Sequence, residues 1–531
     1  MTDVLIDGES LTPEDVAAVA REGATVALSD EARSKIRASR DRIEDILEHD
    51  EAVYGVNTGF GDLVSERIPE EDLETLQENL LRSHASGTGD ELDREVVRAM
   101  MLARANTLAK GYSGIRERVV EALVTMLNEG IHPVVRSRGS LGASGDLAPL
   151  AHMALVLIGE GQAEVVDDPP AAGGADRLPG DAALATAGLE PLSLAAKEGL
   201  ALINGTQLTV GIGALAVVDA ERTLRAADAA GALTTEVTMS TTANCDPKIH
   251  GIRPHAGQAA SARNVRRLTA NSGIIESHRN CDRIQDAYSI RCLPQVHGAA
   301  RDAVEHLREA VEVELNSATD NPLVFPADGV DDRASGTGRA AVLSGGNFHG
   351  APLAHRLDYF VAAMADLASI CERRTDRLLN PHVQEPHLEP FLADHGGLES
   401  GYMIAQYTAA ALVNDLRSTG RAGTDSTPVS GNQEDHVSMS ANAAIEAREA
   451  VETAATVVGI ELLSATRGLE FVDDDLAPGV GTGAVATAVE PALPDADGDQ
   501  PLHGPIDDAT VMVLGGLIEE RTNAVLGEDL E

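Results

Sequence analysis

The 531-residue chain has no tryptophan, only four lysines and four cysteines, and 2% aromatic residues. Because no two cysteines are spaced as Cys-x-x-Cys, we expect neither a disulfide framework nor a zinc or other metal site, and reduced cytoplasmic thiols. The first residues, Met-Thr-Asp-Val-Leu-Ile-Asp, include no basic region or long apolar run, so no signal peptide is expected. No stretch has the length and apolar character of a membrane span. The sequence therefore indicates a cytoplasmic protein.

Positive charge is also scarce, because the chain has 41 basic and 85 acidic residues, which gives a net charge of −44. A surface this acidic repels nucleic acid and anionic membranes, so we expect neither as a partner. The chain is not expected to be disordered, because apolar residues make up 43% of it and recur periodically. Carboxylates along the whole length with few lysines are typical of proteins kept soluble in high salt, where screening weakens self-repulsion. We therefore expect a halophilic protein.

Apolar residues recur mainly at helical spacing, and strand patterns are few and short, which predicts a mainly α fold. Thr12-Pro13-Glu14-Asp15 has the hydroxyl, the proline and the acid of a helix start. Residues 351–379 carry apolar side chains at alternating spacings of four and three, which is typical of long helices in bundles. Further helices are predicted at about 31–49, 73–84, 93–109, 115–128, 196–218, 300–316 and 436–466.

Two segments rich in turn-forming residues interrupt these helices. The turn-rich composition of residues 167–181 predicts an exposed linker. The acidic, proline-rich composition of residues 489–507 predicts a surface loop before a final short helix. We place a boundary near residue 195. It divides an N-terminal part, 1–195, from a long-helix bundle with C-terminal helices, 196–531.

One loop stands out for its chemistry. Three glycines lie within residues 139–145, immediately before an apolar helix. Because glycine adopts conformations that other residues avoid, the backbone of Ala143-Ser144-Gly145 can bend sharply enough to react with itself. Asp146 occupies the N-cap position of the following helix, whose positive end would point back at the triplet. The pattern favours a site at which an electrophile is built.

Three other structures could in principle explain a glycine-rich loop of this kind. The glycines are spaced by two residues and no Lys-Ser/Thr follows, which disfavours a phosphate-binding loop. The Gly-x-Ser-Gly spacing misses the nucleophile elbow Gly-x-Ser-x-Gly by one position. A plain glycine-rich turn between helices remains an alternative if the loop is considered alone.

The loop resembles the signature of the aromatic amino acid ammonia-lyases. Five further segments, spread over nearly the whole chain, look like motifs of that family: 54–61, 198–207, 285–292, 344–349 and 432–439. The resemblance implies the mainly α ammonia-lyase/fumarase-like architecture, with the loop in the N-terminal part beside a long-helix bundle. It also implies a homotetramer in which neighbouring subunits complete each active site.

In that family an Ala-Ser-Gly triplet cyclises and loses water to give the electrophile 4-methylidene-imidazol-5-one (MIO). The resemblance implies that Ala143, Ser144 and Gly145 are its precursor, with the methylidene carbon coming from Ser144. The motifs are most similar to those of family members that act on histidine. The implied reaction is elimination of ammonia from L-histidine to give trans-urocanate, the first step of histidine degradation. Whether the substrate amine or its imidazole ring attacks the electrophile stays open, and we favour the amine.

The resemblance also assigns roles to single residues. Arg291 would hold the substrate carboxylate, because its planar guanidinium suits bidentate pairing. Tyr54 would remove the β proton, with Tyr288 as the alternative base. Asn204 and Gln285 would position the electrophile or the substrate, and Phe348 would form a wall of the pocket. Ser83, His84 and Glu434 would bind the imidazole ring, and Glu434 would also take part in proton transfer.

Each of these residues also has an ordinary structural explanation. A tyrosine in a loop usually packs, His84 suits a helix C-terminus and Glu434 a helix start. Asn204 within an apolar helix can make an interhelical hydrogen bond. Departures from the usual family sequence at 413–425, at Ala287 and at 489–507 affect loop conformation more than chemistry.

Two alternatives to a histidine-specific enzyme remain at this point. One is a phenylalanine or tyrosine ammonia-lyase or aminomutase with the same MIO group, whose pocket would be apolar at Ser83-His84 and would lack an acid at Glu434. The other is a non-catalytic helical scaffold, which would need neither the intact triplet nor both tyrosines.

Overall fold

A computed structural model describes residues 4–49, 53, 55–58, 68–166, 176–279, 281, 283–328, 330, 334–494 and 498–531. Over this part of the chain, helices dominate and the strands are short, which confirms the mainly α expectation. Tyr54 lies outside the described residues. Among the helices of the described part, none is both long enough and apolar enough to cross a membrane.

Two compact units share the chain. The first comprises Met1–Leu215, Leu307–Asp358 and Arg421–Ile445. The second comprises Ala216–His306, Tyr359–Gly420 and Glu446–Glu531. The division near residue 195 that we draw from the sequence stays a prediction.

Short helices and small sheets build most of the first unit. The α-helices that lie wholly within it are α1 Pro13–Arg21, α2 Asp30–Glu48, α3 Leu73–His84, α4 Arg94–Ala109, α5 Glu117–Asn128, α6 Leu147–Leu157, α7 Gly180–Thr186 and α8 Glu198–Ile203. Its strands are β1 Val4–Ile6, β2 Val26–Leu28, β3 Thr88–Glu91, β4 Ile131–Pro133, β5 Arg136–Arg138, β6 Gln162–Val165, β7 Asp176–Pro179, β8 Leu323–Pro326, β9 Ser335–Gly336 and β10 Ala340–Leu343.

Long helices dominate the rest of the chain. The α-helices that begin after residue 206 are α9 Gln207–Val237, α10 Pro247–Gly251, α11 Ala256–Leu268, α12 Gly273–Ser277, α13 Tyr288–Arg291, α14 Leu293–Leu315, α15 Ala351–Leu379, α16 Met403–Ser418, α17 Ser440–Leu469, α18 Val480–Val489, α19 His503–Leu514 and α20 Leu517–Leu526. Along α15 the predicted apolar seam is buried, from Leu353 through Phe360 to Cys371.

Local sequence signals set several helix starts. At α1, the Thr12 hydroxyl accepts from the Asp15 amide and the Asp15 carboxylate accepts from the Thr12 amide, both at 3.1 Å. This reciprocal capping box satisfies two amides that a helix start leaves unpaired, and it confirms the predicted start. At α2, the Ser29 hydroxyl accepts from the Ala32 amide at 3.0 Å.

Within the described residues, four small sheets accompany these helices. They are the parallel pair β1–β2, the antiparallel pair β3–β5, and the antiparallel three-stranded sheets β4–β6–β7 and β8–β10–β9. Pairing of Thr88 with Arg138 ends at the start of the glycine-rich loop and so anchors it. A buried apolar cluster that includes Ile43, Leu73 and Val324 holds Val53 and Val56, on either side of Tyr54.

Three sequence predictions were wrong in part. Residues 176–181 are not a turn-rich linker, because β7 pairs with β6 and α7 begins at Gly180. Residues 489–507 are not one loop before one helix, since α19 begins at His503 and α20 follows. Residues 196–218 do not form a single helix: α8 ends at Ile203 and α9 begins at Gln207.

The break between α8 and α9 has a local cause at Gly205. This residue has a φ of +135°, a conformation that residues with a Cβ rarely adopt. Asn204 before it is extended, with φ −91° and ψ 120°. The break therefore turns the side chain of Asn204 out of a helical position.

Candidate active site

The Ala143-Ser144-Gly145 triplet lies in the loop between β5 and α6 of the first unit. Gly142 and Gly145 have φ angles of +64° and +78°. A Cβ on Gly142 would lie 2.1 Å from the Ser438 hydroxyl, and one on Gly145 would lie 2.2 Å from the Gly205 carbonyl oxygen. Both positions therefore require glycine, for conformation and for space.

Asp146 stands at the N-cap position of α6, but its carboxylate makes no cap hydrogen bond there. It accepts instead from the Ser140 hydroxyl at 3.0 Å and from the Thr209 amide and hydroxyl at 2.9 and 3.1 Å. Burial raises the pKa of Asp146, and the hydrogen bonds from Thr209 and Ser140 oppose that shift. The side chain thus ties the loop to the start of α9, which corrects the expectation of a simple cap.

Ser144 connects two of the predicted site residues. Its hydroxyl donates to a carboxylate oxygen of Glu434 at 3.1 Å. Its carbonyl oxygen accepts from the side-chain amide of Asn204 at 2.7 Å. The Asp146 amide donates to the Gly205 carbonyl at 2.6 Å, which holds the loop directly against the α8–α9 break. The structure therefore brings Ser144, Asn204 and Glu434 together.

His84 is the last residue of α3. Its Nδ1 lies 2.8 Å from the Leu80 carbonyl and 3.0 Å from the Ser83 hydroxyl, which itself donates to Leu80 at 3.1 Å. Because a carbonyl only accepts, Nδ1 carries the proton and Nε2 is left as an acceptor. Burial lowers the pKa of His84, against the raising influences of the Leu80 carbonyl and the Glu434 charge. The ring is therefore a neutral acceptor in the neighbourhood of Glu434.

Phe348 is half-buried in the loop between β10 and α15. The Gly345 amide donates to the Asn321 side chain at 2.7 Å, and the Asn347 side chain donates to the Ala318 carbonyl at 3.1 Å. These two bonds attach the loop, on both sides of residue 346, to the chain segment that precedes β8. The loop conformation around Phe348 is thus set by residues about 25 positions earlier.

Two histidines that the sequence analysis did not single out lie next to predicted site residues. Nε2 of His349 donates to the His436 carbonyl at 3.2 Å, and the two imidazole rings stack in parallel with centroids 5.8 Å apart. His349 follows Phe348, and His436 lies two positions after Glu434. The sequence signal that could have identified these two histidines is their position inside the 344–349 and 432–439 motifs.

Gln285, Tyr288 and Arg291 belong to the second unit, within or just before α13. All three are exposed, and Tyr288 is 72% exposed. Arg291 donates through Nη1 to the side-chain oxygen of Gln285. The roles assigned to them, and the role of Tyr54, stay predictions.

Metal-binding side chains do not converge in the described part of the chain. Over these residues, no group of three or more His, Cys, Asp or Glu is arranged to hold a metal ion. Among the described residues, the carboxylate of Glu434 and the amide of Asn204 both contact Ser144, and the imidazole of His84 is subject to the charge of Glu434. These can bind a small polar molecule and polarise the carbonyl of Ser144.

The chain matches the sequence model of a family described as aromatic amino acid lyase over residues 11–491. A probable histidine ammonia-lyase of Halobacterium salinarum is 63% identical over 527 residues, which are 99% of each chain. The solved histidine ammonia-lyase of Trypanosoma cruzi is 39% identical with a TM-score of 0.88, over 99% of this chain and 96% of that one. The solved tyrosine aminomutase of Streptomyces globisporus is 35% identical with a TM-score of 0.91, over the full length of both.

Proposed function

The chain belongs to the aromatic amino acid lyase family, and we propose that it eliminates ammonia from L-histidine to give trans-urocanate. The observation that carries this proposal is the contact of Glu434 with Ser144 of the triplet, with His84 subject to the charge of the same Glu434. An imidazole ring has two polar nitrogens, and a buried site must pair both or bind the ring poorly. Proteins named histidine ammonia-lyase at 63% and 48% identity support the same substrate.

The residues around the triplet fit an MIO group. Ring closure joins the Gly145 nitrogen to the carbonyl carbon of Ala143 with loss of one water, and Ser144 then loses its hydroxyl as a second water. The positive φ of Gly145 and the absence of room for a Cβ there suit so tight a ring. When formed, the group supplies the electrophile for an elimination in which the ammonium is otherwise a poor leaving group.

Asn204 supports that electrophile through the Ser144 carbonyl. The side-chain amide donates at 2.7 Å to the oxygen that would be conjugated with the methylidene carbon. A donor aimed at developing negative charge in a dry site is among the strongest stabilising devices that enzymes use. We assign Asn204 this role, and the predicted alternative of contacting substrate is not needed to explain its position.

Glu434 changes partner when the triplet matures. In the unmodified chain its carboxylate accepts the Ser144 hydroxyl, and dehydration of Ser144 removes that hydroxyl. The carboxylate is then free to accept a ring N–H of the substrate or to move a proton. Nε2 of His84 is a second acceptor, since its Nδ1 proton is held by Leu80, so the two residues together suit a substrate ring that carries a proton on both nitrogens.

The remaining roles are carried over from the family resemblance. Arg291 would bind the substrate carboxylate, Tyr54 or Tyr288 would remove the β proton, and Gln285 and Phe348 would shape the pocket. The exposure of Gln285, Tyr288 and Arg291 supports a homotetramer in which these side chains serve the site of a neighbouring copy. Light scattering of the purified protein tests for four chains.

The charge supports an adaptation to high salt. The net charge is −44, and a 63% identical relative comes from Halobacterium salinarum. At molar salt the Debye length is about 3 Å, so neighbouring carboxylates hardly repel one another. We propose that the protein works in concentrated salt.

The decisive experiment combines an activity with a mass. Purified protein in molar salt is incubated with L-histidine, and the absorbance of urocanate is followed. Intact-mass analysis of the wild type should show loss of two waters, and Ser144→Ala should assemble, show no such loss and lack nearly all activity. Fully active wild type of unmodified mass would contradict the electrophile, and conversion of L-phenylalanine or L-tyrosine in place of L-histidine would favour the alternative of a phenylalanine or tyrosine ammonia-lyase or aminomutase.

A further inference from the structure

The chemistry at the Ser144 carbonyl depends on where Asn204 is held, and Asn204 stands at an unusual point of the backbone. It directly follows the last residue of α8, and two residues separate it from Gln207, where α9 begins. The last carbonyls of a helix have no partner inside it, and here they face the interior of the first unit. Some other group must satisfy them.

Arg104, from the middle of α4, supplies those donors. Its Nη1 donates to the Ala201 carbonyl at 3.0 Å, and its Nη2 donates to the Asn204 carbonyl at 2.9 Å. Nη2 also donates to the side-chain oxygen of Gln207, the first residue of α9. One planar guanidinium thus joins the end of α8, the break and the start of α9.

Gln207 is fixed in turn by two hydroxyls. Its side-chain nitrogen donates to Thr107 at 2.9 Å and to Thr319 at 2.7 Å. Thr107 lies one helical turn after Arg104 on α4, so both ends of this arrangement rest on the same helix. The position of the guanidinium is therefore determined by rigid neighbours.

The Arg104 side chain is fully buried, and the three acceptors of its hydrogen bonds are neutral. Burial lowers its pKa to about 10, opposed by the charges of Asp320 and Asp146, so the group stays cationic at neutral pH. A buried cation without a directly bonded carboxylate costs stability. A fold that only needed to close a helix break would gain more from a neutral donor.

We propose that Arg104 is a positioning residue that holds the Asn204 amide on the Ser144 carbonyl and is required for formation and activity of the electrophile. The step from Arg104 to the reaction is indirect: the guanidinium fixes the Asn204 carbonyl, the backbone fixes the side chain, and the side chain polarises Ser144. The inference rests on the proposed function, because it concerns the electrophile of that reaction.

The test compares Arg104→Lys with Arg98→Lys. Arg98 lies on the same helix, is 1% exposed, and donates to the carbonyls of Val19 and Leu127 at 2.7–2.9 Å. Burial lowers its pKa to about 10 as well. In both variants lysine keeps the charge but loses the planar pair of donors. The two substitutions therefore cost similar stability, and only one of them touches the Asn204 backbone.

Arg104→Lys should assemble with a smaller fraction of chains that have lost two waters. Its kcat for L-histidine should fall about 10- to 100-fold with KM within about threefold, less than the 10²–10³-fold expected when such a donor is removed outright. Arg98→Lys should retain wild-type modification and kcat. In the double variant Arg104→Lys/Asn204→Ala, kcat should fall no further than in Asn204→Ala alone, because the two residues act through one contact.

Equal loss of modification and kcat in both lysine variants would overturn the proposal and leave Arg104 a structural residue. So would wild-type modification and kcat in Arg104→Lys. If that variant does not assemble, Arg104→Gln, which keeps one side-chain amide donor, replaces it. Failure of both to assemble while Arg98→Lys assembles would also assign a structural role. The mass needs no substrate, so an unmodified wild type refutes the proposed function itself.

Discussion

Replacing His84 with leucine removes one of the two polar groups available to a substrate ring. The substitution leaves no orphaned backbone group, because the Ser83 hydroxyl still donates to the Leu80 carbonyl at 3.1 Å. The lost interaction is therefore the one that Nε2 would make with the substrate. We expect the effect on histidine turnover to report ring recognition and not damage to α3.

The magnitude follows from the pairing of the ring. A site built to bond a polar group rejects an analogue that lacks it by about 10⁴–10⁵-fold, since its own groups are then left unpaired. Wild-type enzyme should thus prefer L-histidine to L-phenylalanine by about 10⁴-fold in kcat/KM. A single hydrogen bond to a protonated substrate ring contributes about 1.5–3 kcal/mol, so His84→Leu should lower kcat/KM for L-histidine about 10- to 100-fold, mainly by raising KM. Glu434→Gln should lower kcat as well if the acid moves protons.

The assay is steady-state kinetics with both amino acids in molar salt. His152→Leu serves as the matched control, because His152 is another half-buried histidine whose Nε2 accepts from the Gly87 amide at 3.1 Å, and it has no assigned role at the substrate. It should leave the preference for histidine intact. Wild-type enzyme that uses phenylalanine as efficiently as histidine, or His84→Leu with unchanged KM, would refute the reasoning.

Two further predictions concern stability. Dilution from molar salt to about 0.01 M lengthens the Debye length to about 30 Å, so the −44 charge should lower the melting temperature and inactivate the enzyme; equal melting temperature and activity in both would remove the high-salt proposal. Burial, helped by Arg98 and Arg94, lowers the pKa of His132 to about 3, and neither ring nitrogen has a partner among the described residues. The unfolded chain therefore binds a proton below pH 6.5 that the folded chain does not. Below that pH the free energy of unfolding should fall by about 1.4 kcal/mol for each pH unit, so at pH 5 it should be about 2 kcal/mol lower. His132→Leu should remove this loss, measured as the difference in melting temperature between pH 8 and pH 5, and a parallel decline in both proteins would contradict it.

Helices whose ends and faces are encoded locally were predictable. The capping box at Thr12 and the apolar seam of α15 need only neighbouring residues, and the structure confirms both. The break between α8 and α9 was missed because the apolar sequence continues on both sides of it. Its cause combines the positive φ of Gly205 with contacts from distant parts of the chain, namely the guanidinium of Arg104 and the approach of Gly145 to Gly205.

The candidate site was predictable only where the residues that carry the chemistry are neighbours in one motif of the sequence. The Ala143-Ser144-Gly145 loop could be identified as unusual, and the family resemblance supplied the partners. The carboxylate of Asp146 was expected to cap its own helix, and it is engaged by Thr209, 63 residues away. Spacing along a sequence carries no information on such a partner.

The loop also constrains when the protein can become active. Its hydrogen bonds reach from Leu141 to Met439, from Gly142 to Ser438 and from Ser144 to Glu434, which is 290 residues further on. At a synthesis rate of about 5–20 residues per second, about 15–60 s pass between the arrival of Ser144 and that of Glu434. During that interval the nascent chain lacks the contacts that enclose the triplet. A reactive group that depended on these contacts would therefore be completed only after residue 439 has been synthesised.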